Sequence, residues 1–449
     1  MSSNIRNIGF ILLYLSIWFS LDTSFYNLAN IQNENFLGLI KALRFISPFI
    51  IFIILALLFI KDLTLIRLNT KFKYLLFLIF ITFFLQSIIP FFNENNVVHV
   101  SFSLIVIILL VNLTFFYEYF DLKKIFLIGM IVLFFITLVY GSALIHYLIF
   151  GTKNLNLYGG WPVNLEALTT ISDNVPRSSG ISRSSLIMMI PLGFYFLISK
   201  KLNYKFYLIY LLCSFLMLSS QSRITLFVYL LGVVIFITYI FFVHINYKFY
   251  ERLKKIFTII LIPVIFWVFI LELLTLNRDT PAFVEYFKDK LITNTNEIDN
   301  IDNKDKYSQL FRKTDKGSFS SRRTEDWQSI IEKNKNYFLG YGALGDRHLI
   351  NQSASSLYFY NYTSGGLFAV FIFLILIFRS IYICTKIVFK IHKIPDKDNY
   401  LDLSACFIIL FLIIRSIVES SFAVFGIDSL VFFTSYFYIE QSYKKNMIK

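Results

Sequence analysis

Leu367-Phe-Ala-Val-Phe-Ile-Phe-Leu-Ile-Leu-Ile-Phe378 is a run of twelve apolar residues that ends at Arg379. It belongs to a longer apolar segment, residues 355–378, and an α-helix needs about 20 such residues to cross the ~30 Å hydrocarbon core of a bilayer. The sequence contains further segments of this kind at residues 5–21, 43–60, 74–92, 97–117, 125–150, 185–199, 206–219, 224–243, 256–276, 403–418 and 423–438. The pattern predicts an all-α, polytopic integral membrane protein with about 12 transmembrane helices.

The composition agrees with a membrane location, so the lipid bilayer is an expected partner. Hydrophobic residues make up 57% of the 449 residues and charged residues only 16%, which is more apolar than a soluble domain. The net charge of +14 comes mostly from short loops between apolar segments, so topology explains it and no nucleic acid partner is expected. Cys213, Cys384 and Cys406 form no CxxC pair and are expected to be small core residues.

The distribution of lysine and arginine predicts how the chain crosses the membrane. If the N-terminus is cytoplasmic, every short basic loop, such as residues 200–205 and 379–397, lies inside, as the positive-inside rule requires. Two long loops then lie outside, at residues 151–184 and 277–354. The prediction treats residues 1–449 as a single membrane domain.

The larger outer loop has two halves of different character. Residues 294–306 are polar and rich in turn-forming residues. In the second half, Ser321 or Thr324 can cap a helix near residues 324–335 that carries Trp327 and two isoleucines on one side. The pattern predicts a helix lying along the membrane surface, which positions residues better than a free loop does.

Arginines in the outer segments are the strongest indication of function. Arg177, Arg223 and the pair Arg322-Arg323 come from three segments that the threading places on one face of the membrane. A guanidinium group forms two parallel hydrogen bonds with phosphate or carboxylate, so the co-location predicts an anion-binding site. The alternative is that they are interfacial arginines that reach lipid headgroups or, for Arg322 and Arg323, solvated charges. Arg223 fits that alternative least well, because it lies in a very short connection where a charge costs ~2.5–3.5 kcal/mol unless it is snorkelled, paired or hydrated.

Glycine, aromatic and histidine residues accompany these arginines. Gly180 lets the backbone approach a ligand closely, and Gly340 and Gly342 permit a tight return toward the membrane. Trp327 offers a face on which a sugar ring can stack. His348 is the only histidine placed in the two long outer loops, which makes it either a candidate general base or an ordinary surface histidine.

Arg415 and Glu419 form a possible charged pair near the outer end of the eleventh apolar segment. They stand four residues apart, so a continuous helix would place them on one face. Asp428 follows on the last apolar segment. The pair is expected either to fix helix packing or to orient a bound polar ligand.

Taken together, the motifs Arg177-x-x-Gly180, Ser222-Arg223 and Arg323-Thr-Glu-Asp-Trp327 with Gly340-Tyr-Gly342 resemble those of the O-antigen polymerase and O-antigen ligase superfamily. The resemblance covers most of the chain, from the first outer loop to the tenth apolar segment. It implies a metal-independent glycosyltransferase, without a cofactor, that uses a polyprenyl-diphosphate-linked oligosaccharide as donor. It also implies the bacterial cytoplasmic (inner) membrane, an active site facing the periplasm or cell exterior, and a flippase and a chain-length regulator as protein partners.

Within this superfamily the sequence favours a polymerase, which joins the repeat units of lipopolysaccharide O-antigen or another surface polysaccharide. Ligase-like members carry a His-Asn pair eleven residues before a glycine that corresponds to Gly366, where this chain has Ser355-Ser356. His348 could replace that base from seven residues upstream. Two alternatives stay open: a ligase that transfers glycan to a lipid acceptor, and a flippase for lipid-linked glycans, which would carry ionisable residues deep within many spans.

The resemblance and the chemistry together assign two groups of residues. Arg223, Arg323 and His348 are expected to be catalytic, because arginines stabilise the charge on a leaving diphosphate and a base adds a factor of ~10²–10⁴. The expected substrate-binding residues are Arg177, Gly180, Arg322, Trp327, Gly340, Gly342, Arg415 and Glu419.

Overall fold

A computed structural model describes residues 3–21, 34–64, 70–92, 97–150, 178–199, 203–220, 223–242, 248–274, 321–350, 353–393 and 399–448. These residues form helices and the turns that join them, without a β-strand in any of the ranges. Eight of the helices within them are long and apolar enough to cross a membrane. The predicted all-α, multi-pass membrane fold is therefore confirmed.

Within the described ranges, ten helices precede the large outer loop. They are α1 (Ser3–Phe19), α2 (Glu34–Thr64), α3 (Thr70–Phe92), α4 (Val97–Tyr119), α5 (Leu122–Phe150), α6 (Ser178–Ile198), α7 (Tyr204–Ser219), α8 (Arg223–Phe242), α9 (Phe249–Ile256) and α10 (Ile262–Leu274). A π-helical turn, Phe257–Leu261, joins α9 to α10. Most of these helices coincide with the predicted apolar segments because their length and composition leave few alternatives in a bilayer.

Five more helices lie in the described residues from 321 onward. They are α11 (Ser321–Lys333), α12 (Gly345–Ile350), α13 (Leu357–Lys393), α14 (Asn399–Ser416) and α15 (Ile427–Ile448). Helix α11 overlaps the surface helix predicted near residues 324–335. A 3₁₀ turn, Ser421–Ala423, lies between α14 and α15. Residues 151–177 and 275–320, which contain most of the two predicted outer loops, are outside the described ranges.

The helices divide into two compact units. The first contains α1 to α4, the beginning of α5 up to Gly129, and α11 to α15; nearly all the rest of the described chain belongs to the second. In the second unit, the hydroxyl groups of Tyr207 and Tyr210 each donate to a carbonyl of the π-helical turn, at 2.8 Å. Trp267 Nε1 donates to Ser219 Oγ at 3.1 Å, so these three side chains have internal partners within an apolar unit, as a bilayer demands.

The first unit has an aromatic core. Phe422 and Phe432 stack with ring centroids 3.8 Å apart and an interplanar angle of 3°, while the buried hydroxyls of Tyr14 and Thr434 share a hydrogen bond of 3.0 Å. These contacts tie α1 and the 3₁₀ turn to α15. The last helix is consequently buried along most of its length.

One end of the first unit is rich in basic residues, and we call it the basic end. Gln441 Nε2 on α15 donates to the carbonyls of Tyr117 (3.0 Å) and Phe120 (2.9 Å), and its Oε1 accepts from Leu122 N. Arg379 on α13 forms a bidentate pair with the buried carboxylate of Glu440. Described lysines at this end include Lys73, Lys123, Lys124, Lys386, Lys390, Lys444 and Lys445.

Candidate functional site

The candidate site starts from a break in α13 at Gly366. Its dihedral angles, φ 62° and ψ −164°, are not helical, so the preceding carbonyls lose the regular bonds to amides four residues later. Tyr362, Thr363 and Ser364 are the residues concerned. In a membrane helix such carbonyls need other partners, because lipid offers none.

A segment after α11, residues 334–345, supplies these partners; we call it the glycine-rich loop. Asn334 Nδ2 donates to the carbonyl of Tyr362 at 3.1 Å. The amides of Tyr341 and Gly342 donate to the carbonyls of Thr363 (2.7 Å) and Ser364 (2.9 Å). Three successive carbonyls at the break are thereby satisfied by one loop.

The loop and the broken helix touch backbone to backbone, which is why glycine stands on both sides. Gly340 has φ 69°, and a Cβ there would lie 2.7 Å from the carbonyl oxygen of Thr363. A Cβ on Gly366 would lie 2.1 Å from the carbonyl oxygen of Phe338. The amide of Leu367 also donates to the carbonyl of Tyr337 at 2.8 Å. Side chains at Gly340 or Gly366 would force the two segments apart.

A second helix anchors the same loop. The amide of Ala343 donates to the carbonyl of Gln86 on α3 at 2.9 Å. That carbonyl lacks its regular helical partner because the residue four positions later is Pro90, which has no amide hydrogen. Gln86 Nε2 also donates to Ser364 Oγ at 3.1 Å, so α3, the loop and α13 are joined by polar bonds.

Every backbone amide of the loop from residue 341 to residue 344 donates a hydrogen bond within the protein. Besides the three amides above, the amide of Leu344 donates to the hydroxyl of Tyr360 at 3.3 Å, and that of Gly340 donates to Asn336 O at 3.1 Å. These groups are not turned toward an anionic ligand. The structure gives Gly340 and Gly342 a role in packing, and their expected contact with substrate stays a prediction.

The buried carboxylate of Asp346 joins the start of α12 to Ala354. It is 1% exposed, and its carboxylate accepts hydrogen bonds from the amides of Ala354 (2.8 Å) and Arg347 (2.9 Å). Burial raises the pKa of Asp346, and these bonds lower the pKa in part. The Ala354 carbonyl in turn accepts from Trp327 Nε1 at 2.9 Å. Asp346 and Ala354 are thus fastened to α11.

Trp327 and His348 lie near the hydrogen bonds that join Asp346, Ala354 and α11. The Trp327 ring stacks on Phe359 at 5.0 Å between centroids, with an interplanar angle of 12°. Stacking against protein occupies one face of the indole. His348 is exposed on α12, and its ring lies 5.5 Å from that of Tyr341. A catalytic role for His348 and a sugar contact for Trp327 stay predictions.

The predicted arginines are placed only in part. Arg322 and Arg323 belong to the first turn of α11, and Arg223 is the first residue of α8 in the second unit; only their backbone is described. Arg177 lies outside the described residues. Gly180 is buried in the first turn of α6. The shared diphosphate site of Arg177, Arg223 and Arg323 therefore stays a prediction.

The predicted pairing of Arg415 with Glu419 on one helical face is wrong. Helix α14 ends at Ser416, so Glu419 lies beyond the helix and does not share a helical face with Arg415. Arg415 instead forms a buried ion pair with Asp428, whose Oδ2 also accepts from Ser421 Oγ at 3.1 Å. The helix stops because the chain turns back into α15, and this turn brings Asp428 to the guanidinium group. The pair fixes the turn, while ligand contacts of Arg415 and Glu419 stay predictions.

Sequence reasoning missed Arg44 as well as Gln86 and Asn334. Arg44 is 6% exposed within the apolar part of α2, and its guanidinium lies 4.4 Å from the centroid of the Phe45 ring. Phe45 contacts Phe102 (5.9 Å), which contacts Phe425 (5.8 Å). An arginine inside a transmembrane segment was a signal present in the sequence.

A narrow apolar crevice lies beside the loop within the first unit. Ala343 and Leu344 form part of its wall, with residues from α3, α4 and the 423–425 turn. Tyr360 closes it on the side of α13. The crevice therefore joins the glycine-rich loop to the turn that Arg415 and Asp428 hold.

Comparison with known proteins adds no relative. The chain matches no protein-family model and no curated protein. The resemblance drawn from the arginine, tryptophan and glycine motifs therefore stands on those residues alone.

Proposed function

We propose that the chain is a membrane-bound glycosyltransferase that polymerises polyprenyl-diphosphate-linked oligosaccharides outside the cytoplasm, as an O-antigen polymerase does. One observation carries the proposal. The segment with the Arg323 to Trp327 and Gly340 to Gly342 motifs forms a helix and a loop bonded to α3 and α13. A loop held in this way is a rigid support on which a helix can present side chains to a substrate.

The charge distribution of the first unit supports an outward-facing loop. The loop contacts α13 between residues 360 and 367, whereas Arg379 and the lysines that follow it belong to the basic end. Lys445 Nζ lies 3.7 Å from Asp121 at that end. Because lysine and arginine accumulate on the cytoplasmic side, the loop belongs on the opposite side. In a bacterium this side of the inner membrane is the periplasm or the cell exterior.

The proposed reaction is a displacement at a sugar. An acceptor hydroxyl oxygen attacks the anomeric carbon of the donor and forms a new C–O bond. The bond from that carbon to the diphosphate breaks, its electron pair leaves with the polyprenyl diphosphate, and the hydroxyl proton passes to a base. Arg177, Arg223 and Arg323 are proposed to bind the diphosphate, because guanidinium groups stabilise charge on its oxygens.

The proton of the acceptor hydroxyl can leave by two routes that are compatible with these residues. His348 is exposed and its ring lies 5.5 Å from that of Tyr341, so an acceptor hydroxyl can reach its imidazole, which can accept the proton as a general base. In the other account the arginines carry the reaction and the proton leaves to water. His348→Ala separates the two, since loss of a general base lowers the rate ~10²–10⁴-fold.

A strain that lacks the gene tests the proposed function. The surface glycan should consist of single repeat units, and the wild-type gene should restore long chains. Arg323→Lys should not restore them although the protein reaches normal abundance, because lysine lacks the fork that matches phosphate. Full-length chains in the deletion strain would rule out a polymerase, and loss of all attached glycan would favour a ligase.

A further inference from the structure

Three consecutive large side chains, Tyr337, Phe338 and Leu339, form the exposed tip of the glycine-rich loop. Phe338 is 66% exposed and Tyr337 is 56% exposed. Large apolar side chains at that exposure need an explanation in a loop whose backbone is otherwise well bonded. The backbone itself fixes their position, since the carbonyl of Tyr337 accepts from the amide of Leu367 at 2.8 Å.

That bond places the loop tip level with the start of the apolar run of α13. Leu367 is the first of the twelve apolar residues that end at Phe378. The Phe338 ring lies beside Phe368, with centroids 6.5 Å apart. The loop tip therefore lies beside the start of this apolar run, within the apolar span Leu357–Lys390 of α13.

A stripe on α13 indicates what covers the loop tip. Large exposed side chains recur along the helix at spacings of four and seven residues, which is one helical face. They are Leu367, Phe371, Phe378, Tyr382 and Phe389. An exposed apolar stripe on a membrane-spanning helix faces lipid, and Phe338 continues that stripe beyond its first residue.

We propose that Tyr337, Phe338 and Leu339 insert into the interfacial region of the bilayer and anchor the glycine-rich loop at a fixed depth. Aromatic side chains are favoured at this level because their rings are apolar and their edges tolerate polar headgroups. The exposed side of α11 carries Glu325, Gln328 and Glu332 beside a single large apolar side chain, Ile331, which is 55% exposed. The loop tip has three consecutive exposed large side chains, so it is the part of this region that we expect to enter lipid, while the exposed carboxylates of α11 stay in water.

Depth measurements on the full-length protein in lipid nanodiscs test this inference. Spin labels would be attached to Phe338→Cys, Phe371→Cys and Glu325→Cys, with the three buried cysteines replaced by alanine. Collisions with oxygen, which concentrates in the bilayer, would be compared with collisions with a water-soluble nickel chelate. Phe371→Cys is the lipid-facing control on the same helical stripe, and Glu325→Cys is the aqueous control.

The oxygen-to-nickel collision ratio at position 338 should exceed that at position 325 severalfold and lie below that at position 371. A ratio at 338 equal to that at 325 would overturn the inference. So would strong dipolar broadening between labels at 338, because the loop tip would then contact a second copy of the chain. The measurement involves no substrate, so its failure is separate from failure of the proposed reaction.

Discussion

The amide of Ala343 and the carbonyl of Gln86 are hydrogen-bonded at 2.9 Å, across 257 positions of sequence, from 343 back to 86. The bond exists because Pro90 cannot supply the amide hydrogen that a regular helix would bring to Gln86. An irregularity in one transmembrane helix thus provides the attachment point for a loop from another part of the chain. The break at Gly366 provides the second attachment point.

Replacing Pro90 with alanine should loosen the loop. An amide hydrogen at position 90 would compete for the Gln86 carbonyl, and loss of one hydrogen bond is worth about 0.5–1.5 kcal/mol. Amide hydrogen exchange in a peptide that covers residues 340–346 should accelerate by about 2- to 10-fold, from the same free energy. Pro191→Ala, in α6 of the second unit, is the control, and equal exchange in both variants would contradict the role of Pro90.

Gly366→Ala should lower the free energy of unfolding. The new Cβ would lie 2.1 Å from the Phe338 carbonyl oxygen, at a backbone φ of 62°, and strain and overpacking together cost at least ~2 kcal/mol. Thermal unfolding in detergent should show a clear drop. Gly232→Ala is the matched control because nothing lies within 4 Å of a Cβ there, and helix propensity makes that change slightly stabilising.

Asp346 predicts a specific pH dependence of stability. Burial raises its pKa above the ordinary value of 3.8, so folding favours the neutral acid. The stability that this preference contributes is complete below pH 3.8 and is lost as the pH rises through the folded-state pKa. Asp346→Asn cannot titrate. The melting temperature of the wild type relative to Asp346→Asn should therefore fall as the pH rises through this window, and a constant difference would contradict the shift.

The Arg415–Asp428 pair predicts non-additive effects of substitution. Removing Arg415 alone leaves a buried carboxylate and should cost about 3–5 kcal/mol. Arg415→Ala combined with Asp428→Ala should be less destabilising than the sum of the single changes, because neither charge remains. Thermal unfolding of the two single variants and the double variant measures this coupling. Additive losses would mean that the pair does not hold the 417–427 turn.

The sequence predicted the fold well because apolar length is a direct consequence of bilayer thickness. Helix α11 was also visible from its capping residues and aromatic pattern. The partner of Arg415 was not, since the spacing to Glu419 gives a pair only if α14 continues, and the helix ends at Ser416. Where a helix ends near a turn depends on tertiary packing that four-residue spacing does not contain.

The scaffold of the candidate site was predictable only in part. Glycines at 340 and 342 indicated a tight loop, but the carbonyls they face, on Thr363 and Ser364, are free only because α13 breaks at Gly366. Pro90 and the Gly365-Gly366 pair were the local signals that carbonyls would be released. Which loop would satisfy them is a question of long-range pairing, and one sequence does not answer it.

We propose that the chain elongates a glycan on a lipid diphosphate. Purified full-length protein in liposomes, supplied with a labelled polyprenyl-diphosphate-linked repeat unit, tests it directly. The variants His348→Ala and Arg323→Lys would be assayed in parallel to show whether a base contributes. As a control, both variants must match the wild type in thermal stability.

The account predicts a ladder of products longer than two repeat units and release of one polyprenyl diphosphate for each bond formed. It also predicts loss of the ladder in Arg323→Lys, since the lysine ammonium does not match two phosphate oxygens as the guanidinium does. A wild-type protein that leaves the repeat unit unchanged, or that makes only a single transfer to a lipid acceptor, would contradict the account.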